Sequence, residues 1–365
     1  MILVALAAAI ALKGAQPHPP SASPSVRTDR VAPVLDAAGI AGTVLIGRGD
    51  RIVFEQAFGL VDPVGGPRHR LGQTWRYASV TKQWAATIAM QDVAAGRLGL
   101  DTPIKTYLPD SKASFADRIT PRMLMQHISG LPRTEDSPKG RDDWPTFYLV
   151  PPGDPQTGRP FCEGPTDRAP PAEFHYGDCD FIMIGAILEK LNGKSFARLV
   201  RDRISRPLGL TSVGLSPRRA PTVVGYEAGK RESPAFRLEN FGAAGALYGT
   251  THDLFRFDRG LMTGKLLPEA QRTVMWTGDP KLGFAAFGQW AFSSPIKGCG
   301  PTPIRFIERR GAIGGVVLRN VILPDLDMVL IMTSNRAEAD AGFGEIWQQR
   351  GVTHDVLSAA ICPNT

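Results

Sequence analysis

The chain has 365 residues, 43% hydrophobic and 21% charged, enough apolar material for a large core in one bilobal unit or two smaller ones. Its net charge of +7 is the excess of 42 basic over 35 acidic residues. No Lys/Arg-rich run with interleaved aromatics occurs, so the charge reads as dispersed over the surface and a nucleic-acid partner is not expected. No phosphate cradle and no His-Glu-x-x-His is present, and the six histidines show no ligand spacing, so neither a cofactor nor a metal is implied.

In chain order, Ile2 to Leu12 is an unbroken apolar stretch followed by Lys13. It is too short to span a bilayer and fits the core of a secretory signal over residues 1–15, cleaved near Ala15, so no integral membrane segment is expected in the mature chain. Residues 16–27, rich in Pro and Ser, read as a flexible linker, and 28–365 as the folded unit. The four cysteines, Cys162, Cys179, Cys299 and Cys362, are an even set without zinc spacing. Three pairings are possible. The pairs Cys162–Cys179 and Cys299–Cys362 are favoured because each closes a loop within one region. Both features point to an exported protein, periplasmic or secreted.

Val44 to Arg48 and Arg51 to Phe58 flank Gly49-Asp50 and read as a β-hairpin. Next comes Ser79-Val80-Thr81-Lys82, at the start of a buried helix running toward Leu98 and stopped by Gly96 and Gly99. Residues three apart share a helix face, so Lys82 Nζ can reach Ser79 Oγ. A serine in the first helical turn also meets the positive end of the macrodipole. A second Ser-x-x-Lys, Ser294-Pro295-Ile296-Lys297, lies in loop-forming sequence with no helix to fix the pair. Thr120-Pro121 opens a helix ending near Ser129-Gly130. Residues 133–171 read as a long ordered loop, of the kind that is often functional. Helices are predicted over Asp180–Leu191, from Ser195 to about Ile204, over Thr251–Met262 and from about His354 to Cys362. Strands are predicted over Val316–Leu323 and Met328–Thr333. Strands near both ends of the folded unit with helices between predict an α+β sandwich: a sheet built from distant segments, flanked by N- and C-terminal helices, with a helical lobe inserted at about residues 83–214.

Two further motifs follow Ser79 in order: Tyr176-Gly177-Asp178, ahead of the Asp180 helix, and Arg309-Arg310-Gly311, ahead of the Val316 strand. Together with Ser79-Val80-Thr81-Lys82 they resemble the β-lactamase-related serine hydrolases: class C β-lactamases, D-Ala-D-Ala peptidases, D-aminopeptidases and esterases of that fold. The resemblance extends from about Val31 and includes His127-Ile128-Ser129-Gly130-Leu131-Pro132, Ala243 to Thr250, and Thr333-Ser334-Asn335-Arg336. It implies a β-lactamase/transpeptidase-like fold and an acyl-enzyme on Ser79. Lys82 would share the serine's proton and Tyr176 would act as base and acid. The backbone N–H groups of Ser79 and Ala312 would form the oxyanion hole. Asp178, Arg309, Arg310 and Gly311 would border the substrate, with Gly311, Gly314 and Gly315 letting it lie close to the strand. His127 would be a packing residue, whereas His175, beside Tyr176, either tunes it or is a plain loop histidine.

Two positions depart from the family pattern. Asp178 replaces the usual Asn, losing a donor to substrate and gaining an ion pair with Lys82, which shifts the base role toward Tyr176. Arg309 and Arg310 replace a Lys or His and a small residue. Arg309 keeps a cation but cannot shuttle protons. Arg310 either clamps a substrate carboxylate or points to solvent, the latter preferred because strand residues alternate faces. The expected partner is a small-molecule or peptide substrate: an ester, a D-amino-acid amide or peptide, or a β-lactam. The alternative is a catalytically silent binding module on the same fold.

Overall fold

A computed structural model of the chain describes residues 26–140, 143–216, 223–232 and 236–363. The signal-like stretch and residues 16–25 of the linker lie outside the described residues. The central sheet has seven strands: β1 (Gly42–Arg48), β2 (Arg51–Phe58), β3 (Ala285–Ala286), β4 (Gln289–Ser294), β5 (Ile304–Ile313), β6 (Val316–Leu323) and β7 (Met328–Ser334). Their spatial order is β2-β1-β7-β6-β5-β4-β3, with every neighbouring pair antiparallel. The hairpin closes at Gly49, whose positive φ of 54° suits a residue without Cβ. Strand β1 also pairs with β7, Val44 opposite Met332, so the sheet is completed only by residues from the far end of the chain.

Five helices of ten or more residues occur among the described residues: α1 (Thr28–Ala37), α2 (Thr81–Ala94), α3 (Asp178–Asn192), α4 (Thr251–Met262) and α5 (Val352–Ile361). The period-two alternation of the strands sorts their side chains between two layers. Val44, Ile46, Leu330 and Met332 meet Val31 and Leu35 of α1 and Val356 and Leu357 of α5. Leu45, Leu318, Ile322 and Ile331 face the opposite way, toward α2 and α4, where Trp84 stacks on Phe257 at 4.1 Å. The α+β arrangement expected from the sequence, with terminal helices on the sheet and a helical region between β2 and β3, is the one observed.

Two helices differ from expectation. The helix capped by Thr120 stops at Met125, because His127 and Gly130 take left-handed φ of 59° and 77° and turn the chain back. The helix capped by Ser195 runs Phe196–Val200, then widens to a π turn over Arg201–Ser205 ahead of Pro207, whose ring nitrogen has no hydrogen to donate. Residues 133–171 contain short turns at Thr134–Asp136 and Thr146–Tyr148 and a helix at Gly158–Cys162. Cys162 is bonded to Cys179 in the first turn of α3, and Cys299 to Cys362 beyond α5. Among the described residues no helix is long and apolar enough to cross a membrane.

Candidate active site

Ser79 sits in a 3-10 turn, Ala78–Val80, directly ahead of α2. Ala78 has a φ of 45°, a left-handed conformation that a residue with Cβ adopts only at a cost of roughly 1–3 kcal/mol. The bend sets Ser79 at the edge of the helical layer, facing the end of β5. Gly311 of β5 makes this approach possible. A Cβ there would lie 2.2 Å from the Tyr77 carbonyl oxygen. The glycines of this stretch make room for neighbouring protein, and Gly314 also lines the cavity beside Ser79. A Cβ at Gly314 would meet Glu232 Oε2 at 2.3 Å, and one at Gly315 the Tyr226 nitrogen at 1.9 Å.

Lys82, in the first turn of α2, is fully buried. Its Nζ donates to Ser79 Oγ (3.1 Å), to Asp178 Oδ1 (2.5 Å) and to the Ala244 carbonyl (2.9 Å). Three partners match the three hydrogens an ammonium carries. Asp178 is held in turn by the Thr134 hydroxyl, which donates to its Oδ2 at 3.3 Å. The Tyr176 and Ser79 hydroxyl oxygens lie 2.7 Å apart. Arg309 is almost completely buried. Its Nη2 donates to the Tyr176 oxygen and its Nε to the Ser79 carbonyl oxygen at 2.9 Å. Lys82 Nζ and the Arg309 guanidinium carbon each lie 5.0 Å from the Tyr176 ring centre. A phenol oxygen that accepts from a guanidinium while touching a serine hydroxyl is placed to receive that hydroxyl's proton.

Ser79, Tyr176, Asp178 and Ala312 line one cavity of about 260 Å³. Gly314, singled out in the sequence, also lines it, while most of its remaining walls were not legible as site residues in the sequence. They include Glu135, Trp144 and Tyr148 from the long loop, Glu227, Phe241 and Ile313. Trp144 and Tyr148 stand out in the sequence only as aromatics in a polar loop, and nothing there marks Glu135. Tyr148 donates to Glu135 Oε1 at 3.4 Å. Burial and the neighbouring Asp178 and Glu135 carboxylates raise its phenol well above the ordinary range.

Arg310 takes neither of the two fates the sequence offered. It points to the opposite face of β5 and forms a fork with the Glu345 carboxylate, with Nε donating to Glu308 Oε1 at 3.2 Å. It does not line the Ser79 cavity, so it neither clamps a substrate there nor stands free in solvent. Strand alternation puts it on that face, and two carboxylates hold it there, Glu308 being further bonded to the buried Arg319 at 2.6 Å. His175 is likewise absent from the cavity wall: its ring lies between Arg133 and Arg168. His127 is buried against the Tyr176 ring, their centroids 4.7 Å apart. Among the described residues no group of His, Cys, Asp or Glu side chains is arranged to hold a metal.

Several known proteins are similar to this chain. The putative penicillin-binding protein PbpX of Bacillus subtilis (strain 168) is 24% identical over 257 residues, covering 69% of this chain and 62% of that protein. The esterase EstB of Burkholderia gladioli is 28% identical over 213 residues, covering 54% and 53%. The chain thus spans between about half and three-fifths of the length of these two relatives. A crystal structure of the D-amino acid amidase from Ochrobactrum anthropi SV3 complexed with L-phenylalanine shares the fold with a TM-score of 0.72 at 18% identity, covering 91% of this chain and 98% of that one. A family model described as Beta-lactamase matches residues 28–353, which take in all seven strands and the Ser79, Tyr176 and Arg309 segments, and the chain belongs to that family.

Proposed function

We propose that the chain is a serine hydrolase that works through an acyl-enzyme on Ser79. The observation that carries this reading is the convergence on Ser79 Oγ of Lys82 Nζ at 3.1 Å and the Tyr176 phenol at 2.7 Å. Lys82, with all three hydrogens engaged, holds positive charge beside the serine. Tyr176, with Arg309 donating to its oxygen, takes the serine proton as Oγ attacks a carbonyl carbon. The backbone N–H groups of Ser79 and Ala312 receive the oxyanion. The Tyr176 proton passes to the leaving group, which departs as alcohol or amine. Water, deprotonated by the same phenolate, then attacks the acyl carbonyl and frees the acid, and Ser79 Oγ regains the proton.

The cavity wall supports a choice among substrates. Among the described residues lining it there is no Lys or Arg, while Glu135 and Glu227 both border it. Arg309 lies behind the wall, its Nε and Nη2 donating to Ser79 and Tyr176, and Arg310 faces away. A substrate carboxylate therefore finds Glu135, Glu227 and the Lys82-paired Asp178, and no described cation, on the wall. A neutral ester, or an amide or ester whose acyl part carries an ammonium, suits the wall better than a β-lactam or a peptide C-terminus. The esterase and amidase names among the relatives are consistent with that range.

The test is a fluorophosphonate probe followed by a hydrolysis screen with p-nitrophenyl acetate, D-alanine amide and a chromogenic cephalosporin. Labelling that disappears in Ser79→Ala, with turnover of the ester or the amide in preference to the cephalosporin, is expected. Absence of labelling refutes the acyl-enzyme. Labelling without turnover of any substrate refutes the hydrolase and favours the silent binding module.

A further inference from the structure

Tyr176 belongs to an extended stretch ahead of α3, so neither helix nor strand hydrogen bonds fix it. Its ring is confined by side chains. Lys82 and Arg309 lie against it, and the His127 ring packs on it at 4.7 Å with planes inclined by 54°. The backbone joins the two segments as well, since the His175 N–H donates to the His127 carbonyl at 2.9 Å.

His127 is built into its place more elaborately than packing requires. It is 4% exposed and holds a φ of 59°. Its Nδ1 is 2.8 Å from Asp180 Oδ2, and the other Asp180 oxygen accepts from the Ser129 hydroxyl. The Gly177 N–H also approaches Nδ1, at 3.5 Å, and the shorter contact, to a carboxylate that only accepts, assigns the Nδ1 hydrogen to Asp180. His127 Nε2 is buried without a partner among the described residues. A bare lone pair is tolerated there at less cost than a stranded N–H. Protonating it would add a third cation beside Lys82 and Arg309 with no acceptor to receive it. Burial above all, then those two charges, hold the imidazole below its usual range against the opposing pull of Asp180.

We propose that His127, oriented by Asp180, is a positioning residue that holds the Tyr176 phenol within reach of Ser79 Oγ. This rests on the acyl-enzyme reading above. Its contribution belongs to the proton-transfer step rather than to substrate binding, because His127 does not line the cavity.

The experiment compares wild type with His127→Asn, which keeps an N–H for Asp180 and removes the ring. Fluorophosphonate labelling rates, p-nitrophenyl acetate kinetics and Tm are measured for both. A misplacement on the scale of 1 Å lowers rate by about 10²-fold. The expected result is a fall of about 10–100-fold in labelling rate and kcat, with KM within about 2-fold and Tm little changed. A folded His127→Asn with kcat within about 2-fold of wild type overturns the proposal while leaving the hydrolase reading intact. Wild type that takes no label takes down both. Should His127→Asn not fold, ¹⁵N NMR of histidine-labelled wild type decides. A ring protonated at Nδ1 alone between pH 6 and 8 supports the proposal, and one protonated at Nε2, or at both nitrogens, at pH 7 overturns it.

Discussion

Gly311→Ala tests the geometry that brings the two halves of the site together. The added Cβ would sit 2.2 Å from the Tyr77 carbonyl oxygen, with the Tyr77 carbonyl carbon at 3.2 Å and the Ala78 Cβ at 3.4 Å. Ordinary contact with that oxygen demands a separation of about 1 Å more, and neither partner is a flexible side-chain end. The strand and the Tyr77-Ala78-Ser79 segment must therefore part. That moves Ala312 away from Ser79 and loosens the bond from Arg309 Nε to the Ser79 carbonyl. Losing one oxyanion donor typically costs about 10²–10³ in rate, or about 3–4 kcal/mol of barrier. We expect Gly311→Ala to lower kcat/KM for p-nitrophenyl acetate by about 10²-fold or more, mostly through kcat, and to lower Tm measurably. Circular dichroism confirms that the protein is folded. A variant within about 3-fold of wild type in kcat/KM, with unchanged Tm, would show that the strand does not set the reacting geometry.

Two other perturbations separate function from framework. Asp258 is fully buried, its Oδ1 accepting from Asn320 Nδ2 at 3.0 Å, while its own Oδ2 and the Asn320 Oδ1 lack partners. Burial raises its carboxyl well above the ordinary value, so the folded state favours the protonated form. The stability this contributes is complete below the unfolded pKa and is lost as pH rises toward the folded one. Asp258→Asn supplies a permanent donor for Asn320, and it should raise Tm at pH 8 by more than at pH 4. An equal change at both, measured by differential scanning fluorimetry, contradicts this account. Arg310→Ala should leave kcat and KM for the neutral ester within about 3-fold of wild type while lowering Tm, since Glu345 and Glu308 lose a shared cation. A KM rise above about 10-fold would return Arg310 to the cavity.

Local features of this protein were legible in sequence where one residue type decides the backbone. The Gly49-Asp50 hairpin and the helix starts at Thr120 and Ser195, whose side chains accept from the Met123 and Arg198 N–H groups, are such cases. The spacing of Ser79 and Lys82 was legible for the same reason, because a helical start leaves few ways to arrange residues three apart. What brings Tyr176 and Arg309 to them is not local: β5 reaches Ser79 only through the sheet order and the contact at Gly311. Glu135 was illegible because the turn at Thr134–Asp136 has no periodicity, and its place on the cavity wall depends on the loop packing against Phe241. Arg310 was ambiguous because alternation tells which face a side chain takes but not that Glu345, 35 residues on, would be waiting there.

The pairing of β1 with β7 has a bearing on how the chain comes to be folded. Thr43 N–H donates to the hydroxyl of Thr333, 290 positions later. The first strand of the sheet has one permanent neighbour, β2, until β7 has been made. Contacts so distant in sequence close slowly, and an open two-stranded edge gives little independent stability. A ribosome-bound nascent chain ending before residue 328 should therefore remain protease-sensitive throughout its β1–β2 region. The completion of the sheet beneath the cleft is thereby tied to the arrival of β7.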